Sequence, residues 1–178
     1  IAIACCLLFT VINLLGVKLT GQFQSYVVII LLACIAIYIV AGAFFIDYSR
    51  FTPFLPFGVG AMVSTAGFVF IAFAGTTKIA SVAGEVKNPS RNLPLGIILS
   101  WLSVSIVYLI VIFITVGVVN ASILQNTLLP ISIGGEVIMG KFGLILMNIA
   151  GLLAFITTGN SGILATSRTP MAMGKAAI

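Results

Sequence analysis

Long apolar runs separated by short polar stretches make up most of this chain of 178 residues. A helix needs about 20 mainly apolar residues to cross the hydrocarbon core of a bilayer. Because an apolar segment in lipid must pair its own backbone groups, each run of that length is predicted to be a helix. Four runs are long enough to cross the bilayer: 24–46, 60–84, 93–119 and 142–167. A shorter run at 1–15 is interpreted as the second half of a further helix.

The composition supports the prediction of an all-α polytopic membrane protein. Hydrophobic residues make up 61% of the chain and charged residues 6%, and the mean hydropathy is +1.33. Soluble domains carry roughly 25% charged residues, so this chain has too little polar surface to be one. It starts at Ile1 inside an apolar run and stops at Ile178 without a polar tail. We therefore expect residues 1–178 to be a single internal fragment of a longer polytopic membrane protein.

The net charge of +5 indicates orientation and not a nucleic-acid partner, because the basic residues are scattered between apolar runs. Cytoplasmic loops carry an excess of Lys and Arg. If successive runs cross the bilayer, the stretches 16–23, 85–92 and 168–178 share one side, which we predict to be the cytoplasmic side of the cell membrane. That side has five basic residues: Lys18, Lys87, Arg91, Arg168 and Lys175. The other side has two, Arg50 and Lys141.

A polar break interrupts the third run and is the first candidate for a binding site. Gly75 permits unusual backbone angles or a close approach, and Thr76 and Thr77 are poor at holding a helix. Non-helical backbone at this depth is tolerated where it lines a cavity, and half-helix ends near the midplane often hold substrates and ions. Lys78 has two interpretations, a side chain that snorkels to the surface or makes an ion pair, and a contact within a polar cavity.

Two aromatic residues precede this break at a spacing that places them on one helix face. Phe70 and Phe73 are three residues apart. They are either packing residues in lipid or protein, or an aromatic gate that covers a ligand at the break. Together with the break they form the candidate substrate-binding set: Phe70, Phe73, Gly75, Thr76, Thr77 and Lys78.

The sequence gives no sign of a metal site or an enzyme. The chain has three cysteines, no C-x-x-C pair and no histidine, so a zinc or haem site is not expected. The spans contain no pair of acidic residues and no nucleophile motif. A channel is not indicated either, because no ring of charge or filter-like repeat is visible. We expect no metal centre and no organic cofactor.

The stretch from Gly84 to Pro94, Gly-Glu-Val-Lys-Asn-Pro-Ser-Arg-Asn-Leu-Pro, follows a Phe-x-x-Phe-x-Gly membrane segment. This combination resembles the amino acid–polyamine–organocation permease superfamily. The turn from Asn13 to Gln24 and the Ser-Arg-x-x-x-Met-Ala-Met stretch at 167–173 are also similar to that family. The resemblance implies a leucine-transporter-type inverted-repeat fold, of which this chain would hold the end of the fourth helix to the eighth helix.

The resemblance also implies roles for particular residues. The break at Gly75 would offer backbone carbonyls to a substrate ammonium, and the eighth helix would offer the hydroxyls of Thr157, Thr158 and Ser161 to a coupling ion. The same hydroxyls also suit simple helix packing. Many relatives carry an acidic or aromatic residue just after the glycine, where this chain has Thr76, which argues against a cationic substrate. The cytoplasmic loop is either a structural connector or a gating contact, and its candidate residues are Glu85, Lys87, Asn88, Pro89 and Arg91.

These features together predict a secondary transporter of amino acids or related amines that works by alternating access. We expect it to be driven by exchange or by a gradient of a coupling ion, Na+ or H+. Its expected partners are the substrate, the lipid bilayer and the remaining helices of the same permease. An alternative is a membrane sensor or scaffold that binds an amino acid without moving it.

Overall fold

The computed structural model of the chain describes residues 17–53, 57–73, 75, 86 and 88–176, and the predicted run at 1–15 lies outside them. Within these residues the chain is helical and forms no strand. Two short 3-10 turns cover Ala43–Phe45 and Tyr48–Phe51. The α-helices are α1 Val17–Gly42, α2 Gly58–Phe73, α3 Pro89–Val118, α4 Ala121–Leu124 and α5 Pro130–Ala176.

Three helical segments are long and apolar enough to cross a membrane, which confirms the predicted all-α membrane class for the described part of the chain. They are Gly21–Phe45, Pro89–Val118 and Pro130–Ile163, and Gly58–Phe73 is a shorter apolar helix. Helix α3 has 30 residues, which corresponds to a length of about 45 Å at 1.5 Å per residue.

Two stretches that were predicted as loops are largely helical. Helix α1 starts at Val17 inside the predicted loop 16–23, and α5 continues to Ala176 through the predicted loop 168–178. The polar residues of these stretches, such as Lys and Gln, have good intrinsic helix propensity. A helix can therefore continue beyond the point where the sequence becomes polar. Helix α5 begins at Pro130 with an arm outside the predicted runs, and the arm that follows the non-helical Gly140 covers the predicted run 142–167.

The chain divides into two compact units, and the first consists of the described residues 17–41 and 131–176. Helix α5 turns sharply at Gly140, whose φ of 64° and ψ of −150° lie outside the helical region. The two arms of α5 approach each other closely after this turn. The approach is so close that a Cβ at Gly143 would overlap the carbonyl oxygen of Gly135. The hydroxyl of Ser132 donates a hydrogen bond of 2.8 Å to Asn148 Oδ1, which joins the same two arms.

The core of the first unit centres on Tyr38, which is fully buried. Its hydroxyl lies 2.5 Å from the position that a Cβ on Gly134 would occupy, so this glycine leaves the room that the ring needs. The other buried apolar residues of this unit are Val27, Cys34, Ile138, Met147 and Ala150.

The second unit contains residues 42–130, and its core lies at the carboxyl end of α3. The backbone N–H of Asp47 donates to the carbonyl of Gly117 at 3.0 Å, and Arg50 Nη1 donates to the carbonyl of Val118. The rings of Phe51 and Phe113 stack with centroids 4.7 Å apart. The last carbonyls of a helix have no partner within it, and here the segment 43–52 supplies partners for two of them.

Candidate functional site

The apolar helix α2 ends at Phe73, two residues before the predicted break at Gly75. Gly75 has no positive φ, and no atom of the described residues lies within 4 Å of where its Cβ would stand. Thr76, Thr77 and Lys78 lie outside the described residues, so their part in a binding site stays a prediction.

The two candidate gate residues have different surroundings. Phe70 is 77% exposed, whereas Phe73 is half-buried against two aromatic rings of α3. The ring centroid of Phe73 lies 6.3 Å from that of Trp101, at an interplanar angle of 62°. It lies 6.0 Å from the ring centroid of Tyr108, at an angle of 60°. The structure therefore brings Phe73 into an aromatic cluster and leaves Phe70 outside it.

The candidate ion residues of α5 divide in the same way. Thr157 and Ser161 are half-buried, whereas Thr158 is exposed. The hydroxyl of Thr157 donates to the carbonyl of Ala154 at 2.9 Å, and that of Ser161 donates to the carbonyl of Thr157 at 2.8 Å. Because a hydroxyl oxygen has two lone pairs, each of these oxygens keeps the capacity to accept a bond or coordinate a cation while its proton is held by the helix.

Gln24 of α1 uses part of that capacity. Its Nε2 donates to the hydroxyl oxygen of Ser161, and its Oε1 accepts from Asn160 Nδ2 at 3.0 Å. Asn160 is only 1% exposed. The side chains of Gln24, Asn160 and Ser161 thus form one polar cluster between two apolar helices, which we call the amide cluster. Among the described residues, no group of three His, Cys, Asp or Glu side chains is arranged to hold a metal ion.

The loop that carries the family-like motif is described in part. Glu85 and Lys87 lie outside the described residues, and Val86 is described alone. Asn88 is the N-cap of α3 with φ 49° and ψ 62°, and Pro89 is the first helical residue. The backbone N–H of Arg91 donates to the carbonyl of Asn88 at 3.2 Å. Asn tolerates the left-handed conformation and Pro suits the first turn, so these two residues turn the chain sharply into α3.

A carboxylate marks the connection between α1 and α2. Asp47 Oδ1 accepts from the hydroxyl of Ser49 at 2.7 Å and from the backbone N–H of Ser49 at 3.0 Å. Its Oδ2 lies 3.5 Å from Arg50 Nε. The hydrogen bonds from Ser49, with a smaller contribution from the charge of Arg50, lower the pKa of the Asp47 carboxyl below its ordinary value. The ionised carboxylate therefore holds Arg50 beside the end of α3.

Sequence reasoning did not identify Gln24, Trp101 or Tyr108 as residues of the candidate sites. For Trp101 and Tyr108 a signal exists, because they are seven residues apart and so share a helix face. Gln24 is the first residue of the predicted run 24–46, and its partners are more than 130 positions away. Only the packing of α1 against α5 shows what its amide contacts.

With three helices long and apolar enough to cross a membrane among its described residues, the chain belongs to the class of polytopic membrane proteins. The comparison with protein families agrees, because the profile described as amino acid permease matches residues 1–178. The chain belongs to the amino acid permease family, a family of transporters and not of enzymes, which confirms the resemblance seen in the sequence.

Individual relatives have different names and come from distant organisms. A mitochondrial cationic amino acid transporter of Arabidopsis thaliana is 32% identical over 97% of this chain and 29% of its own length. A branched-chain amino acid permease of Bacillus subtilis is 36% identical over 59% of this chain and 23% of its own length. A methylthioribose transporter of the same bacterium is 32% identical over 62% of this chain and 24% of its own length. The chain therefore spans about a quarter of the length of the curated relatives that it matches.

Proposed function

We propose that the protein carries out secondary active transport of amino acids by alternating access, with the substrate bound near the helix break at Gly75–Lys78. The observation that carries this proposal is the permease family match over all 178 residues. The polar break Gly75–Lys78 inside an apolar run supports the location of the site. A helix that stops inside an apolar run leaves backbone carbonyls available for a substrate ammonium group.

The proposed substrate is a neutral amino acid. The relatives include proteins named for branched-chain amino acids, for cationic amino acids and for methylthioribose. The sequence at the break has two threonines and a lysine and no acidic residue. A lysine beside the site repels a cationic side chain, and the threonine hydroxyls hydrogen-bond to polar groups of either sign. We therefore expect leucine or threonine to compete better than lysine or arginine.

Transport is tested with the full-length protein in proteoliposomes, by uptake of radiolabelled amino acids. Replacement of Thr76 or Thr77 by Val removes a hydroxyl and should raise KM about tenfold, as expected for the loss of one hydrogen bond to a charged group. Thr65→Val is the matched control, because the Thr65 hydroxyl donates to the carbonyl of Ala61 within α2 at 2.9 Å. If no amino acid is taken up, or if the three variants behave alike, the proposed site is wrong. Binding without uptake would indicate a sensor or scaffold.

The coupling ion is proposed to contact the hydroxyls of Thr157 and Ser161. Hard oxygen donors suit Na+, and the two side chains lie four residues apart on one helix face. Uptake is compared under an imposed Na+ gradient and an imposed proton gradient for Thr157→Val, Ser161→Ala and Thr158→Val. If the Na+ dependence of uptake weakens in Thr157→Val and Ser161→Ala, the ion site is supported. If it also weakens in Thr158→Val, the ion site includes this exposed threonine.

The matched control for the ion site is Ser25→Ala. The Ser25 hydroxyl is exposed on α1 and donates to the carbonyl of Gly21 at 2.9 Å. Equal ion dependence in all variants and in this control would contradict an ion site on α5.

A further inference from the structure

The side-chain amide of Gln24 is oriented by partners at both of its ends. Its Oε1 accepts a hydrogen bond of 3.0 Å from Asn160 Nδ2, and its Nε2 donates to the hydroxyl oxygen of Ser161. The proton of that hydroxyl is directed to the carbonyl of Thr157 at 2.8 Å. An amide turned by 180° would place oxygen against oxygen at Ser161 and N–H against N–H at Asn160. The donor end of Gln24 is therefore the end that faces Ser161.

The oxygen of Ser161 is also one of the two ligands of the proposed ion site. A hydroxyl oxygen has two lone pairs, and one of them accepts from Gln24. A cation and an N–H group both approach such an oxygen with positive charge, so they repel each other when they share it. The hydrogen bond from Gln24 therefore opposes the binding of a cation to Ser161.

The surroundings of the amide cluster increase this opposition. Asn160 is 1% exposed, and Gln24 and Ser161 are half-buried. Dipoles and charges interact more strongly where water is partly excluded, because the effective dielectric constant is lower there. Glu136 is the acidic residue in the described part of this unit, and it lies before the turn at Gly140, on the other arm of α5. The described part of this unit therefore offers a cation at Ser161 neutral oxygens only.

We infer that Gln24 is an inhibitory residue of the proposed ion site, whose amide donor weakens the binding of Na+ at Ser161, and that Asn160 is the positioning residue that directs this donor. The inference rests on the ion site proposed for Thr157 and Ser161. It goes beyond that site by assigning control of the ion affinity to α1. The site binds Na+ tightly only when the amide of Gln24 has left Ser161.

The inference is tested by equilibrium binding of radioactive sodium to the full-length protein in detergent. Gln24→Met keeps the approximate length of the side chain and removes its N–H groups, and the sulfur remains a weak acceptor for Asn160. The Kd for Na+ should fall about three- to tenfold, as expected when the net contribution of one hydrogen bond no longer opposes the ion. Gln22→Met is the matched control on the same helix, because Gln22 is exposed, and it should keep the parental Kd.

A second variant retains the contact with Asn160. Gln24→Glu keeps an oxygen that accepts from Asn160 and places an oxygen where the donor stood, so its Kd for Na+ should fall at least as far as that of Gln24→Met. A mere loss of structure would weaken Na+ binding and would not tighten it. Where the two variants differ, Gln24→Met decides, because methionine adds no charge.

A double variant shows whether the effect passes through Ser161. Ser161→Ala alone should raise the Kd for Na+. The addition of Gln24→Met to Ser161→Ala should bring no gain, because the oxygen for which donor and ion compete is then absent. A gain of equal size with and without Ser161 would contradict the inference.

The outcomes separate the inference from the proposed function. If Gln24→Met binds Na+ no more tightly than the parent, Gln24 does not oppose the ion and the inference is wrong. If the parent binds no Na+ and Gln24→Met does, the inference is supported. If neither protein binds Na+, the inference and the ion site are both wrong. Uptake of amino acids by the same protein in proteoliposomes tests the transport proposal separately.

Discussion

The amide of Gln24 makes a contact between two helices that are distant in the sequence. One end of this amide donates to Ser161, and the other accepts from the buried Asn160. A buried amide without a partner costs about 1–3 kcal/mol, and hydrogen bonds between membrane helices contribute about 0.6–2 kcal/mol. The amide cluster therefore fixes the register of α1 against α5 in a way that apolar packing alone does not.

Replacement of Gln24 by Ala should lower the stability of the full-length protein by about 1–2 kcal/mol, because Asn160 then loses a partner. The measurement is thermal unfolding in detergent, followed by the fluorescence of a thiol-reactive dye. Ser25→Ala is the control, since its hydroxyl bonds within α1 only. Equal midpoints for the two variants would show that the amide cluster does not stabilise the fold.

Asp47 is expected to make stability depend on pH. Its pKa is lowered in the folded protein, so its contribution is present above the unfolded pKa of about 3.9 and is lost as the pH falls through the folded value. At pH 7 the Asp47→Asn variant should unfold at a lower temperature than the parent. The difference should shrink when the pH is taken below about 4.

The pH test has an internal check in Ser49→Ala, which removes the hydroxyl that donates to Asp47. This variant should show part of the effect of Asp47→Asn at pH 7. A parent and an Asp47→Asn variant whose midpoints differ equally at pH 7 and well below pH 4 would contradict the assigned role of the carboxylate.

Among the elements, the turn of α5 at Gly140 depends on close contact between its two arms. The backbones of Gly135 and Gly143 approach so closely that a side chain at either position meets a carbonyl oxygen. Small residues let membrane helices pack at such short distances. The sequence contains these glycines among 18 in the chain, and nothing in the pattern distinguishes the ones that pack from those that face open space.

Replacement of Gly143 by Ala should destabilise the protein by about 1–3 kcal/mol or prevent folding, because the new Cβ overlaps the carbonyl oxygen of Gly135. Gly151→Ala is the matched control in the same helix, where no atom of the described residues lies within 4 Å of the place that a new Cβ would take. The control should be neutral or slightly stabilising, since Ala has the better helix propensity. The yield of monodisperse protein and the unfolding midpoint are the readouts, and equal values for both variants would contradict this packing.

Hydropathy predicted the apolar centres of α1, α3 and α5, because a run of about twenty apolar residues in lipid must form a helix to pair its backbone groups. It did not predict their ends, since Lys18 and Met171 continue a helix as readily as Leu does. The candidate residues Phe73, Thr157 and Ser161 could be selected from residue type and spacing. The spacing of Trp101 and Tyr108 places them on one helix face, but the residues that they and Gln24 contact could not be predicted, because contacts between helices depend on how the helices pack.

For the whole molecule, the length of α3 sets a test of orientation. A helix of 30 residues is long enough to cross a bilayer of about 30 Å, so Ser90 near its start and Leu128 beyond its end should face opposite sides. Leu128 is 97% exposed. The charge count predicts that Ser90 is cytoplasmic.

Orientation is measured by labelling Ser90→Cys and Leu128→Cys in intact cells with a membrane-impermeant maleimide, relative to the parent protein. Leu128→Cys should be labelled in intact cells, and Ser90→Cys only after the cells are made permeable. The reverse pattern would overturn the predicted orientation, and labelling of both in intact cells would show that α3 does not cross the membrane.

The proposal that amino acids cross the membrane through this protein is tested most directly by counterflow. The full-length protein is placed in proteoliposomes that contain a high concentration of an unlabelled neutral amino acid, and the labelled form is added outside. Alternating access predicts that the label accumulates transiently inside above its outside concentration, and that Thr76→Val and Thr77→Val reduce this accumulation more than Thr65→Val does. Binding of the amino acid without any counterflow would contradict the account.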